Sequence, residues 1–203
     1  MKTICLITIA FALLTSCQND SSKSVKLYQD TTNVDDIDAK LLIVPGKSIG
    51  RFSIGQSMAA VDSLKGKPDS SDAAMGKAWA IWYGKKSTGG KRNEIAIFSG
   101  YSDSTMSSKS VKQIRVISDK FETAEGLNNG TLLSDFTTKY SDFTRISTYV
   151  DDRLHDTIYV YDSKSHGIAV EFLRDISRAI TIHDKGKPLD DSYYTLNRAL
   201  KKL

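Results

Sequence analysis

The sequence predicts an α+β fold of two tandem repeats, each a short helical segment followed by a three-stranded antiparallel meander, forming one continuous sheet or two fused units. Three observations carry that expectation. A glycine-bracketed segment, Gly50-Arg51-Phe52-Ser53-Ile54-Gly55, leads into a short amphipathic run. A weaker copy, Gly126-Leu127-Asn128-Asn129-Gly130, recurs about 75 residues later ahead of a second such run. Three short strand-like runs follow each one. With 203 residues, 40% hydrophobic and 26% charged, the composition is that of an ordinary globular chain with enough apolar content for one core or two small fused ones.

Residues 1–16 read as a secretory signal peptide. Lys2 supplies a positive start, and Ile4 to Leu14 supply an apolar run of about ten residues, half the length of a membrane-spanning helix. The run ends in Leu14-Thr15-Ser16-Cys17, which resembles the bacterial lipoprotein signal, where small residues precede a cysteine that is lipidated and becomes the new N-terminus. The resemblance implies acyl chains on Cys17, each buried methylene contributing roughly 0.8 kcal/mol to membrane retention. It also implies a lipid-anchored place in the bacterial cell envelope, on the outer membrane in preference to the inner. Cysteine arithmetic favours this over an ordinary secretory signal: Cys5 leaves with the signal, and Cys17 alone can form no internal disulfide in an oxidising compartment. The net charge of +4 loses only Lys2 on cleavage, too small an excess to recommend nucleic acid as a partner. Residues 17–40, rich in Ser, Asn, Asp, Thr and Lys, read as a flexible tether, because they cannot bury enough apolar surface to offset their ordering. Within them Asp35-Asp36-Ile37-Asp38 lacks the glycine turn and distal glutamate of an EF-hand loop and reads as a solvated acidic stretch.

Residues 41–120 make the first repeat. Leu41 to Val44 is a short strand stopped by Pro45-Gly46. Ser57 is placed to cap a helix whose apolar stripe is Met58, Val61 and Leu64 and whose end is Gly66-Lys67-Pro68. Strands are expected over 78–83, 94–98 and 111–117, with polar loops between them. Residues 121–186 repeat the order: Thr131 as cap, a stripe of Leu132, Leu133, Phe136 and Tyr140, then strands over 157–161, 167–173 and 179–182. Gly50 matches Gly126, Gly55 matches Gly130, Ile97 matches Val170, and Ile114 matches Ile180. Residues 187–203 read as a C-terminal helix, with Tyr193, Leu196, Ala199, Leu200 and Leu203 near helical spacing and Arg198, Lys201 and Lys202 in the final turns.

The glycine-bracketed segment, capped helix, Gly-x-Pro stop and three antiparallel strands resemble the unit of the BamE/SmpA-like lipoproteins of the outer membrane. In tandem they resemble the two-repeat architecture of the β-lactamase-inhibitor-protein-like family. The matching residues are Gly50, Ile54, Gly55, Ser57, Val61, Gly66 and Pro68, then Gly126, Gly130, Thr131 and Phe136. The second unit departs in having no proline after its helix and in carrying Asn128-Asn129 before its glycine. The resemblance implies action through protein contacts and no catalysis.

A search for chemistry agrees. His155, His166 and His183 share no element at metal-binding spacing and read as exposed histidines. No Gly-x-Ser-x-Gly elbow accompanies the abundant serines. Asp151, Asp152, Asp156 and Glu171 could be posed as paired carboxylates, but Glu171 alternates outward between Val170 and Phe172 and reads as the solvent face of a strand. The basic loop Gly84 to Arg92 lacks phosphate-loop spacing and precedes a strand. The aromatic cluster remains: alternation puts Trp79 and Tyr83 on one face and Trp82 on the other. Core packing is the plain reading of Trp79, and Trp82 is the sharper candidate for an exposed partner contact, with Tyr83 and Trp79 beside it.

The expectation from sequence is therefore a non-catalytic, lipid-anchored cell-envelope protein, a protein-binding or scaffold module, with no enzyme activity, cofactor or metal. Its expected partners are the membrane, through lipid on Cys17, and an envelope protein. The alternative is a binder of a small amphiphile or cell-wall fragment in the concavity between sheet and helices.

Overall fold

A computed structural model describes residues 39–86, 92–151, 154–193 and 201–202. The expected signal, Cys17 and nearly all of the expected tether lie outside them. β1 (Leu42–Val44), β2 (Ser48–Ile49) and β3 (Phe52–Ser53) double back on one another ahead of α1 (Met58–Lys65). β4 (Ser70–Ala74), β5 (Lys77–Lys86), β6 (Arg92–Tyr101) and β7 (Lys109–Ile117) then form an antiparallel run. After β8 (Glu122–Thr123) and α2 (Leu133–Lys139) comes a second run of β9 (Thr144–Asp151), β10 (Asp156–Ser163), β11 (Ile168–Leu173) and β12 (Ile176–His183). The last strands of the two runs pair, Ile114 opposite Ile182 and Val116 opposite Ile180. One sheet results, ordered β9-β10-β11-β12-β7-β6-β5-β4, with β13 (Lys201–Lys202) outside β9. A small mixed sheet, β3-β2-β1-β8, has β1 antiparallel to β2 and parallel to β8.

This corrects the expected fold class. About half of the chain is strand and only two α-helices occur among the described residues, so the architecture is mostly β and not a pair of helix-plus-three-strand repeats. The strands that sequence reasoning misses are at the sheet edges. β4 reads Ser-Ser-Asp-Ala-Ala, with no large apolar residue, and in β9 the apolar Ile146, Tyr149 and Val150 do not alternate. β4, with a neighbour on one side only, buries little and so carries little hydrophobic period, while β9, between β10 and the two-residue β13, buries Ser147, Tyr149 and Asp151, a set that is not apolar.

One face of the large sheet holds the main core. Ile97, Ile114, Val116, Val170, Phe172 and Ile180 pack beneath Val61 of α1, Phe136 of α2, and Ile43, Ile49 and Phe52 of the small sheet. Phe136, Phe143, Tyr161 and Phe172 form a ring cluster with centroids 5.5 to 6.1 Å apart, geometry that adds to plain area burial. α1 is capped as its sequence suggests, the Ser57 hydroxyl accepting from Ala60 N–H at 3.3 Å. α2 is not capped by Thr131. Leu132 occupies the cap position without a side-chain bond, and the Thr131 hydroxyl closes a turn by accepting from Asn128 N–H (3.0 Å) and donating to Asn128 Oδ1 (3.1 Å). Gly50, at φ +54°, is fixed by geometry, because a Cβ there would sit 2.4 Å from the Lys40 carbonyl oxygen.

The opposite face is crossed by the segment after β12. Leu189 is buried against Tyr149, Ile158, Val160 and Ala169. Its N–H donates to Asp162 Oδ2 at 3.1 Å, and Gln113 Nε2 donates to the Asp190 carbonyl at 2.9 Å. Of the helix expected over 187–203, residues 194–200 and 203 lie outside the described residues. Asp191–Tyr193 form a 3-10 turn and Lys201–Lys202 are strand, not helix.

Candidate functional site

Three places gather the residues that sequence reasoning singled out, and each has a different chemistry. The first is the face under Leu189. Glu171 is not on a solvent face. It is 2% exposed, and Arg115 grips it with Nε on Oε1 at 2.7 Å and Nη2 on Oε2 at 2.8 Å. Tyr149 donates its hydroxyl to Oε2 at 2.7 Å, and Arg115 Nη1 reaches Glu94 Oε1 at 2.7 Å. Burial works against the Arg115 charge, but the Glu171 carboxylate, then Glu94, outweigh it and hold the guanidinium well above its ordinary value. Beside this, His183 is also buried, with Nε2 2.8 Å from Asp162 Oδ1. The expected exposure of Glu171 and His183 fails because alternation alone assigns to water a face that is covered: Arg115 and Tyr149 enclose Glu171, and Leu189 packs on Tyr149 and donates to Asp162, the partner of His183. A charge set between apolar neighbours in central strands, Ile114-Arg115-Val116 and Val170-Glu171-Phe172, was the signal available. Both oxygens of Glu171 and three nitrogens of Arg115 are engaged, so the group is a lock between strands.

The second place is the turn between β10 and β11. Ser163 donates to Asp142 Oδ1, the Ser163 and Ser165 hydroxyls lie 2.8 and 2.9 Å from His166 Nδ1, and Ser165 N–H donates to Asp142 Oδ2 at 2.9 Å. A hydrolytic relay needs one imidazole nitrogen on the serine and the other on the carboxylate. Here all contacts converge on Nδ1 and the serine bonds the carboxylate directly, so the cluster ties a turn. The Ser163 hydroxyl, with Ser165 and His166, keeps the Asp142 carboxyl well below the usual range. The posed carboxylate pair also dissolves: Asp156 is held by Arg174 Nη2 at 2.8 Å and Glu171 by Arg115, while Asp152 lies outside the described residues. His155 sits exposed in the β9–β10 turn. No group of three or more His, Cys, Asp or Glu side chains suited to a metal occurs among the described residues.

The third place is the far edge of the sheet. Trp82, the expected exposed contact, is 5% exposed and belongs to the main core. Its indole N–H donates to the Gly66 carbonyl at 3.1 Å, closing the open end of α1. The helix-covered face is the face of Trp82, not of Trp79. Trp79 is half-buried on the other side against Phe98, Ala96 and Ile81, its buried indole N–H without a hydrogen-bond partner. Tyr83, half-buried, lies under the Arg92 guanidinium at 4.2 Å. Asp72 of β4 sits opposite Trp79. Among the described residues β4 pairs with β5 alone. A groove of about 470 Å³ runs along it, lined by Met58 of α1, Ser71 and Ala73 of β4, Ala78 and Ala80 of β5, and Lys109.

Fold and site together define a mostly β domain of one large antiparallel sheet and one small mixed sheet, with an internal ionic lock and, among the described residues, an open edge at β4. No family model, curated protein or solved structure matches the chain, so the resemblance to the BamE/SmpA-like lipoproteins rests on the glycine-and-helix motif alone. No helix among the described residues is long and apolar enough to cross a membrane.

Proposed function

We propose that this chain is a non-catalytic, lipid-anchored cell-envelope protein that binds a protein partner by accepting an extended segment on the β4 edge. One observation carries the reading. Ser70–Ala74 has small side chains, mostly exposed, with Asp72 its one charge, and holds no proline, lysine or bulge of the kind that blunts open strands. Strand addition at such an edge takes its affinity from main-chain bonds and its selectivity from neighbouring grooves. Here the groove beside Ala73 and the half-buried Trp79 supply that neighbourhood. Lipid on Cys17 would keep the edge at a membrane surface, as the Leu-Thr-Ser-Cys sequence suggests.

Ala73 is the position to break: its N–H is held by the Asp72 carboxylate at 2.7 Å, a contact an added strand would displace, and a proline ring there would block main-chain pairing. Capture of a defined partner from envelope extracts by the full chain should be lost in Ala73→Pro, with the melting temperature little changed. Equal capture by the proline variant would remove the edge from the account. The groove also gives some support to the second reading, a small amphiphile, since its volume falls in the range of ligand sites. An amphiphile that binds only the folded chain raises the melting temperature with concentration, and a screen of acyl amphiphiles and cell-wall fragments without such a rise removes that reading.

A further inference from the structure

We propose that two neighbouring hairpin tips, carrying Met75 and Met106, form a second membrane contact, a pair of apolar prongs that enter the interface of an anionic bilayer. Met75 and Gly76 are the two residues between the closing pair Ala74 and Lys77, and both have positive φ, +51° and +81°. Such a turn favours Asn, Asp or Gly at its first position, yet the position holds a methionine with its side chain fully exposed. Met106 repeats the anomaly in the loop between β6 and β7, at φ +54° and 67% exposed. That loop is built to hold its shape. The Asp103 carboxylate accepts from the Thr105 hydroxyl (2.6 Å), Ser107 N–H (3.2 Å), and the Ser107 and Ser108 hydroxyls (3.1 and 3.0 Å). Two large apolar side chains in a backbone conformation that disfavours them, each bare to solvent, break the local rule without any compensation inside the fold.

The tips lie at the same end of the sheet, because Lys77, which follows one, pairs with Gly100, which precedes the other, and a Cβ on Gly76 would meet the Tyr101 ring at 3.3 Å. Behind the methionines come the residues of an interface. Tyr101 is partly exposed and Lys109 Nζ lies 5.2 Å over its ring. Lys77, directly behind Met75, pairs with Asp190 Oδ2 at 2.6 Å, so the lysine placed for headgroups is Lys109. Apolar tips backed by tyrosine and lysine match the order of acyl region and headgroups. Three side chains cannot supply the roughly 800 Å² per partner of a standard protein interface, whereas insertion needs only the prongs themselves. The proposal draws on the lipid anchor only for the nearness of a bilayer.

The test uses the full chain with Cys17→Ser, so that no lipid contributes, floated with vesicles of phosphatidylcholine containing phosphatidylglycerol. The chain is expected to float with them, and less with phosphatidylcholine alone. Replacing Met75→Asn and Met106→Asn should lower the partition roughly tenfold for each methionine, while the melting temperature holds or rises, because Asn tolerates the left-handed backbone. Leucine at both positions should retain binding. Failure of the parent to float, or equal flotation of the asparagine variant, overturns the proposal. So does loss of a captured envelope protein with no vesicle binding, which would make the prongs a protein contact. Absence of lipid on Cys17 in the unsubstituted chain would sink the anchor and leave this result standing.

Discussion

Arg115 joins parts of the sheet that the hydrogen-bond ladder keeps apart. It sits on β7, and its main partner Glu171 is on β11, with β12 between them, while Glu94 arrives from β6 and Tyr149 from β9. The lock therefore spans the seam where the two four-stranded runs meet. Removing one partner of a buried ion pair strands the other charge, so Arg115→Met or Glu171→Leu alone should cost about 3–5 kcal/mol, read from urea unfolding. The double variant should recover much of that loss, and strictly additive losses would show that the pair is not coupled. At Asp142 the effect is one of pH. Its folded carboxyl is held low by Ser163, Ser165 and His166, so the stability it contributes is complete above the unfolded value near pH 4 and is lost as pH falls toward the depressed folded value. The melting temperatures of the parent and Asp142→Asn should therefore differ at pH 6 and converge below about pH 4, whereas a constant gap would mean the carboxylate charge plays no part. Neither feature was legible in the sequence. Glu171 looked like an outward strand residue because the period of two says which residues share a face but not what covers that face.

Among the elements, the turn at Gly167 shows how closely the loops are packed. A Cβ there would lie 2.4 Å from the His183 carbonyl oxygen and 2.8 Å from Gly46 Cα, with φ at +71°. Gly167→Ala should destabilise the domain by more than about 1 kcal/mol in thermal or urea unfolding, since strain and overlap add. A neutral result would mean the turn can move aside. The strands that were legible are in the middle of the large sheet: the runs 78–83, 94–98, 111–117, 157–161, 167–173 and 179–182 match β5, β6, β7, β10, β11 and β12, except that Gly167 lies in the turn before β11. β4 was not, because an edge strand buries too little to imprint a hydrophobic period, nor was β9, whose buried Ser147, Tyr149 and Asp151 are not an apolar set. α1 carried its own start and stop in Ser57 and Gly66, and α2, without a side-chain cap, gave a start at Thr131 that the chain uses for a turn instead.

At the scale of the molecule, one sheet of eight antiparallel strands carries a layered apolar core on one face and an ionic lock on the other. The outer side of the small-residue strand β4 is left without a neighbouring strand among the described residues. That asymmetry changes where a partner contact belongs. Trp82 is internal, Trp79 and Tyr83 are half-buried, and the exposed main chain of Ser70–Ala74 becomes the surface with most to offer. The prongs, one between β4 and β5 and one between β6 and β7, would face a bilayer, while the β4 edge would face the partner. Photo-crosslinking in living cells from a residue placed at Ser71 or Ala73, with Thr138 on the exposed face of α2 as comparison, tests the central claim most directly. The account expects one discrete crosslinked envelope protein from the β4 positions, none from Thr138, and loss of the Ser71 product when Ala73→Pro is added. Crosslinks of equal strength from Thr138, or none from β4, would contradict it.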